Sequence, residues 1–476
     1  MVFYTLGRIM LVIAALLLLP TACAVYFKET TIPAFAITVA VSIGIGLALT
    51  FACRTKNRVI FAKEGFAIVA LTWVAASAVG ALPFFISHEI PSYIDAFFET
   101  VSGFTTTGAS ILENVEVMSK SLLFWRSFTH WIGGMGVIVF VMMFTNLSDR
   151  SLHIMRAEMP GPIVGKLVPR AKDTARLLYI IYIVLTVALI LLLRLGGMPL
   201  FESVLHAFGT AGTGGFGIKS DSIAGYSPYI QWVITVFMLL FGVNFNLYYL
   251  ILIKRFRTAV RSTEMWTYFG IVGASTAIIT ANIFSMSGSF SRSLRDAAFQ
   301  VASIITTTGY STVDFDRWPS LSKTVLVILM FIGACAGSTG GGFKVSRVII
   351  LFKMIKRELV KLLHPRSVRV IRFEGKPLDE ATVSNTGSYL AVYSVCFFAI
   401  LLTISVDGFD LETNFTAVAS CFNNIGPGLS KVGPMMNFSC YSPFSTAVLS
   451  AAMLLGRLEI FPILLAAAPS TWSKRK

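Results

Sequence analysis

Four short polar runs carry the chemistry that this sequence can offer. The first is Thr105, Thr106, Thr107 and Gly108; a near copy follows at Thr306, Thr307, Thr308 and Gly309. Weaker relatives are Gly212, Thr213, Gly214 and Gly215, and then Asn423, Asn424, Ile425 and Gly426. The glycines that close these runs recur at intervals of about one hundred residues, the spacing of a fourfold repeat around an axis. Each run is rich in oxygen. A dehydrated alkali cation needs a ring of oxygens near enough to replace its water shell, and inward-turned backbone carbonyls can supply it. Such a backbone needs residues tolerant of positive φ, which is glycine's property, and threonine hydroxyls can add a second layer of oxygens. The turns contain no Lys or Arg, which argues against an anion path, and no acidic ring, which argues against a divalent one. One such turn alone reads equally well as a tight turn with a helix cap. Four in register favour the ion site.

A second constellation lies between residues 333 and 342, where five glycines interrupt an otherwise apolar segment. Each costs about 1 kcal/mol relative to alanine inside a helix, so an unbroken helix is not expected there. Close helix packing over small residues is the alternative reading. The preferred one is an unwound segment at mid-membrane, over Gly337, Ser338, Thr339, Gly340, Gly341 and Gly342, able to block or clear a path. Lys344 follows directly, and Arg457 stands within the last apolar segment. Charges at those positions are costly unless they face the protein interior. Glu459, two residues beyond Arg457, points to a different helix face and is not its automatic partner. Arg457 is therefore expected to face the path and touch the 337–342 segment, or else to pair with a carboxylate elsewhere.

The elements that must hold these residues are set by hydropathy. The chain has 476 residues, 55% hydrophobic and only 13% charged, with a mean hydropathy of +0.76. These values place it in a bilayer. Its net charge of +15 falls in short runs between apolar segments, which suits the cytoplasmic face of a membrane better than nucleic acid. Segments of about 20 apolar residues are read at 8–27, 33–53, 66–86, 123–146, 178–197, 229–253, 264–287, 322–352, 386–406 and 443–468, ten spans with the eighth interrupted. The first resembles a signal peptide, but it lacks a clear cleavage site and is kept as a helix. Basic residues follow every even-numbered span, such as Arg54 and Lys63, Arg150 and Arg176, Lys254 and Arg261, Lys353 and Arg372, and Lys474 at the end. The positive-inside rule then puts both termini in the cytoplasm and all four polar runs on the outer side. Stretches too short to span, 92–103, 200–210, 293–304 and 411–421, precede the runs and read as re-entrant half-helices. The fold expected is an all-α integral membrane protein: a two-helix extension (1–60) and four span–pore-loop–span repeats (61–150, 151–260, 261–375 and 376–476).

Other chemistry finds little support. Cys23, Cys53, Cys335, Cys396, Cys421 and Cys440 show no metal-ligand spacing, with Cys421 and Cys440 a weak disulfide candidate. The histidines are scattered, and no triad, phosphate loop or dinucleotide fingerprint is present.

The runs SGFTTTGAS, IITTTGYST and NNIGPG resemble the selectivity-filter loops of the Trk/Ktr/HKT superfamily of potassium transporters, and GSTGGGFK resembles its intramembrane gating loop. The likeness covers essentially the whole chain, and the extra pair of N-terminal spans resembles the TrkH/TrkG branch rather than the eight-span KtrB branch. It implies a potassium-uptake subunit of the bacterial inner membrane, with K⁺ as the transported ion. It also implies a filter built from the four polar runs and a gate built from residues 337–342 with Lys344 and Arg457. A homodimer of pores, contact with membrane lipid and a cytosolic TrkA-like nucleotide-binding regulatory ring are implied as partners; nucleic acid is not. The second run departs from the family pattern, because Gly214 and Gly215 both fit the filter glycine. Two alternatives stay open: a less selective K⁺/Na⁺ path of the same build, and a secondary transporter. The second of these usually shows two inverted repeats. A membrane enzyme lacks the necessary cluster of acid, base or metal ligands.

Overall fold

The computed structural model describes residues 1–54, 62–136 and 171–472. The proposed boundaries at 60 and 150, the end of the 123–146 span and the terminal lysines lie outside them. Among the described residues, six helices are long and apolar enough to cross a membrane: Val2–Phe27, Ile32–Ala52, Lys63–Ile86, Thr174–Leu195, Thr263–Ser287 and Glu380–Asp407. Two bent pairs raise the number to eight if each counts as one span. Their outward faces are apolar and exposed, as with Leu18, Ile43, Val184 and Phe398, which is the dress of a lipid-facing surface. The first two helices cross closely where Gly7 meets Gly46, leaving no room for a side chain at either position.

Four shorter helices, Tyr93–Phe104, Leu200–Gly212, Phe290–Ile305 and Leu411–Asn423, follow spans and end at the polar runs. They begin where the sequence supplies helix starts: the Ser92 hydroxyl accepts from the Asp95 N–H at 3.4 Å, and the Asp410 carboxylate accepts from the Thr413 N–H at 3.1 Å. The third starts three residues earlier than expected, after Ser289. Nearly every residue in their last two turns is buried, including Glu99, Gln300 and Asn423.

The interruption expected in the eighth span is present, between Ser320–Met330 and Val345–Leu363. The sixth and tenth spans, read from sequence as unbroken, are also broken. Pro228–Phe241 and Phe245–Leu252 meet at 88°, and Pro443–Arg457 and Phe461–Ala467 at 118°. At the first bend, Asn244 caps the new helix by accepting from the Asn246 N–H at 2.9 Å. At the second, Glu459 and Ile460 hold positive φ of 54° and 64°, and Pro462 opens the next helix. Hydropathy alone does not register such bends, because both arms are apolar. One two-stranded hairpin, Arg372–Phe373 paired with Lys376–Pro377, departs from the purely helical expectation.

Candidate functional site

All four half-helices terminate in the same way. The N–H groups of Thr107, Gly214, Thr308 and Ile425 bond back to the carbonyls of Ser102, Gly209, Ser303 and Ser420 at 2.8–2.9 Å. These are the six-to-one bonds of a Schellman cap. The residue that turns the chain is left-handed each time: Thr106 (φ 55°), Thr213 (54°), Thr307 (57°) and Asn424 (57°). Non-glycine residues adopt that conformation at a cost of about 1–2 kcal/mol, so four in equivalent places mark a built feature rather than a slack loop. Two residues on, a glycine again has positive φ: Gly108 (81°), Gly215 (71°), Gly309 (86°) and Gly426 (103°). This backbone register aligns Gly215, not Gly214, with the other three.

The glycines also define a ring. A Cβ at Gly108 would strike the carbonyl oxygen of Gly214; at Gly215, that of Thr308; at Gly309, that of Ile425; and at Gly426, that of Thr107. Each loop's glycine thus abuts the carbonyl preceding the next loop's glycine, and the sequence of contacts closes on itself in chain order. A cavity of about 150 Å³ opens on this ring and is lined by all four glycines. Helix C-termini converge here with their negative dipole ends, which favours a cation.

Side-chain oxygens form a second tier. The Thr105 and Thr107 hydroxyls lie 2.8 Å apart, and those of Thr306 and Thr308 lie 2.7 Å apart. Thr105 and Thr306 also donate to Val101 O and Ala302 O. The second and fourth runs lack this pair. In the fourth, the Asn424 amide reaches across to donate to Thr107 Oγ1 and to Met453 O, both at 2.9 Å. Asn423 accepts from the Tyr393 hydroxyl at 2.9 Å.

Residues that sequence reading did not single out pin the runs from behind. Glu99 and Arg126 form a buried ion pair at 2.5 Å. The Glu99 carboxylate accepts from Ser110 Oγ and the Ile111 N–H of the first loop, while Arg126 donates to Gly217 O of the second at 2.8 Å. The Arg126 guanidinium lies 3.4 Å over the Phe216 ring, against which His130 stacks. Tyr310 ties the third loop to the second half-helix, its hydroxyl 3.4 Å from His206 Nδ1. Nothing in the local sequence marks Glu99 and Arg126 as partners, since they belong to different helices. Because removing one member of a buried pair strands the other, Glu99→Ala should destabilise the protein by about 3–5 kcal/mol. Thermal and denaturant unfolding of the detergent-solubilised protein will read this.

On the side away from the cavity, the glycine-rich segment seats directly against the turns. The Gly341 N–H donates to Thr307 Oγ1 at 2.7 Å. Gly340 and Gly341 approach the carbonyls of Thr306 and Asn423 too closely to admit a side chain. Gly337 and Gly342 carry positive φ, both 70°. The buried Lys344 ammonium donates to Gly340 O and, at 3.0 Å, to Gly341 O. Arg457 donates to Thr339 O at 2.9 Å and to Gly133 O and Gly134 O at 2.6 and 2.9 Å. Ser338 is buried and donates to Cys335 O. Glu459 does not pair with Arg457; it takes the Arg347 guanidinium at 2.6 Å. Cys421 and Cys440 are both free thiols.

The chain matches the model of the TrkH family, described as cation transport protein, over residues 31–269 and 278–476. It is 36% identical to the Trk system potassium uptake protein TrkH of Salmonella typhimurium over 98% of each chain. Identity to the Trk system potassium uptake protein TrkG of Escherichia coli is 32%, covering 95% of this chain and 94% of that one. The crystal structure of the potassium transporter TrkH from Vibrio parahaemolyticus superposes with a TM-score of 0.88 at 31% identity, over 99% of both chains.

Proposed function

Because the chain belongs to the TrkH family of cation transport proteins, a family of transporters and not of enzymes, we propose that it takes up potassium through a single filter made of its four polar turns. The observation that carries this reading is the closed ring, in which each of Gly108, Gly215, Gly309 and Gly426 abuts a carbonyl of the following loop. Carbonyls packed so closely around one axis are the means by which a protein replaces the hydration shell of a cation as large as K⁺. In this reading ten spans form a two-helix extension and four span–pore-loop–span repeats. The protein sits in the bacterial inner membrane with both termini cytoplasmic, and it works as a homodimer with a nucleotide-binding TrkA-like ring. The 337–342 segment is the gate. It closes the path from below by capping Thr307, with the positive charges of Lys344 and Arg457 raising the barrier to a passing cation.

Expression in a strain lacking its own potassium uptake systems should restore growth at low potassium. No rescue, with the protein in the membrane and a TrkA-like partner supplied, would overturn the reading. A less selective K⁺/Na⁺ path draws its support from one observation: only the first and third runs carry the paired threonine hydroxyls. Under the potassium reading, tracer rubidium uptake should resist a tenfold excess of sodium, whereas strong competition would favour the second.

A further inference from the structure

The glycine-rich segment is held at both ends by one buried carboxyl group, that of Glu264. Glu264 is the second residue of the Thr263–Ser287 helix and is only 4% exposed. Its Oε1 accepts from the Ala336 N–H at 2.7 Å and from the Ser346 N–H at 3.1 Å. These donors flank the segment that meets Thr307 and carries Gly340, Gly341 and Lys344. Without this carboxyl oxygen both N–H groups would be left unsatisfied in a buried setting, which costs about 1–3 kcal/mol each. The start of the Thr263–Ser287 helix is itself clasped by the hairpin. Glu374, at its exposed tip, accepts from Ser262 Oγ, from the Thr263 N–H and from the Glu264 N–H, at 3.0, 3.2 and 3.0 Å. A continuous set of bonds therefore runs from an exposed hairpin, through one helix turn, to both ends of the segment under the turns.

Resting on the transport reading above, we infer that Glu264 is the latch that keeps the glycine-rich segment closed, and that the 372–377 hairpin positions this latch through Glu374. Glu264 touches neither the turns nor the ion path. It acts through the segment, so loosening it should change how often the path is open and leave ion choice alone. A force or partner that lifts the hairpin would release the same bonds from a distance.

Cys335, buried and a free thiol next to Ala336, is a built-in reporter. In the full chain with the other five cysteines changed to serine, labelling of Cys335 by a membrane-impermeant maleimide measures opening of the segment. E264Q and E264A should each speed labelling by about tenfold or more, the change expected when buried backbone donors lose their acceptor. E374A, an exposed change that leaves the core untouched, should move labelling in the same direction by less. Maximal rubidium uptake should rise in the same order, with the half-saturating concentration and the exclusion of sodium unchanged. A mere folding defect would instead lower uptake and shift all three quantities together. Unchanged labelling in E264Q and E264A overturns the latch. If the parent shows no rubidium uptake at all, the potassium reading fails by itself, and the labelling rates still decide for or against the latch.

Discussion

Alanine at Gly215 or Gly309 should abolish potassium-selective uptake, with maximal rubidium flux falling at least about tenfold. The expected loss has two parts. Positive φ at these positions, 71° and 86°, costs an L-residue about 1–2 kcal/mol. The added Cβ must also displace a backbone carbonyl, Thr308 O or Ile425 O, that belongs to the ring itself. Strain at one loop is thereby passed to the next, so both rate and K⁺/Na⁺ discrimination should suffer. Gly426→Ala should be milder, because its Cβ would stand 2.8 Å from Thr107 O and need less movement. The second loop separates its two glycines. A Cβ at Gly214 meets the His130 ring, a side chain, whereas one at Gly215 meets backbone. His130→Ala should therefore restore much of the uptake lost in Gly214→Ala and none of that lost in Gly215→Ala. Equal rescue of both would contradict the register given by the backbone.

Arg457→Ala should raise uptake measured without the proposed regulatory partner and weaken the response when that partner is added. Arg457 binds the glycine-rich segment at Thr339 O and the end of the Lys120–Gly134 helix at Gly133 O and Gly134 O. Its removal takes away a positive charge below the turns and also a tie between the segment and the first repeat. Both losses favour opening. Hydrogen bonds to charged groups contribute about 1.5–3 kcal/mol each, so a several-fold rise in partner-independent flux is expected. Arg457→Lys keeps the charge but cannot reach three carbonyls in the same geometry. It should fall between the parent and alanine. Unchanged flux and unchanged control in both variants would remove Arg457 from the gate.

Much of this arrangement can be read from local sequence because its parts are local. A polar or acidic residue at the start of a short apolar stretch announces a half-helix, as at Ser92 and Glu412, and a glycine three or four residues past the helix end announces the turn. Five glycines between 333 and 342 announce the break. The choice between Gly214 and Gly215 is different. It depends on which residue stands two positions after the left-handed Thr213, a matter of backbone dihedrals that composition does not reveal. Long-range pairs are hidden for another reason. Glu99 and Arg126 lie 27 residues apart, Arg347 and Glu459 lie 112 apart, and each residue alone reads as a costly charge in an apolar setting. Glu264 looks like an ordinary acidic residue in a first helical turn; only the path of the chain brings Ala336 and Ser346 to it. The bends after Phe241 and Arg457 escape hydropathy because two polar residues at each, Asn244 with Asn246 and Arg457 with Glu459, barely lower the average of the apolar arms. The docking of the glycine-rich segment on Thr307 likewise joins two stretches whose local patterns do not point to each other.

The central claim is that four turns make one selective ring, and tracer rubidium uptake by the purified protein in lipid vesicles, competed by potassium or by sodium, tests it most directly. The parent should show uptake suppressed by potassium and little affected by equal sodium, and Gly108→Ala, Gly215→Ala and Gly309→Ala should each lose that preference. Uptake that sodium and potassium suppress equally in the parent, or a preference that survives alanine at any of these three glycines, would contradict the account.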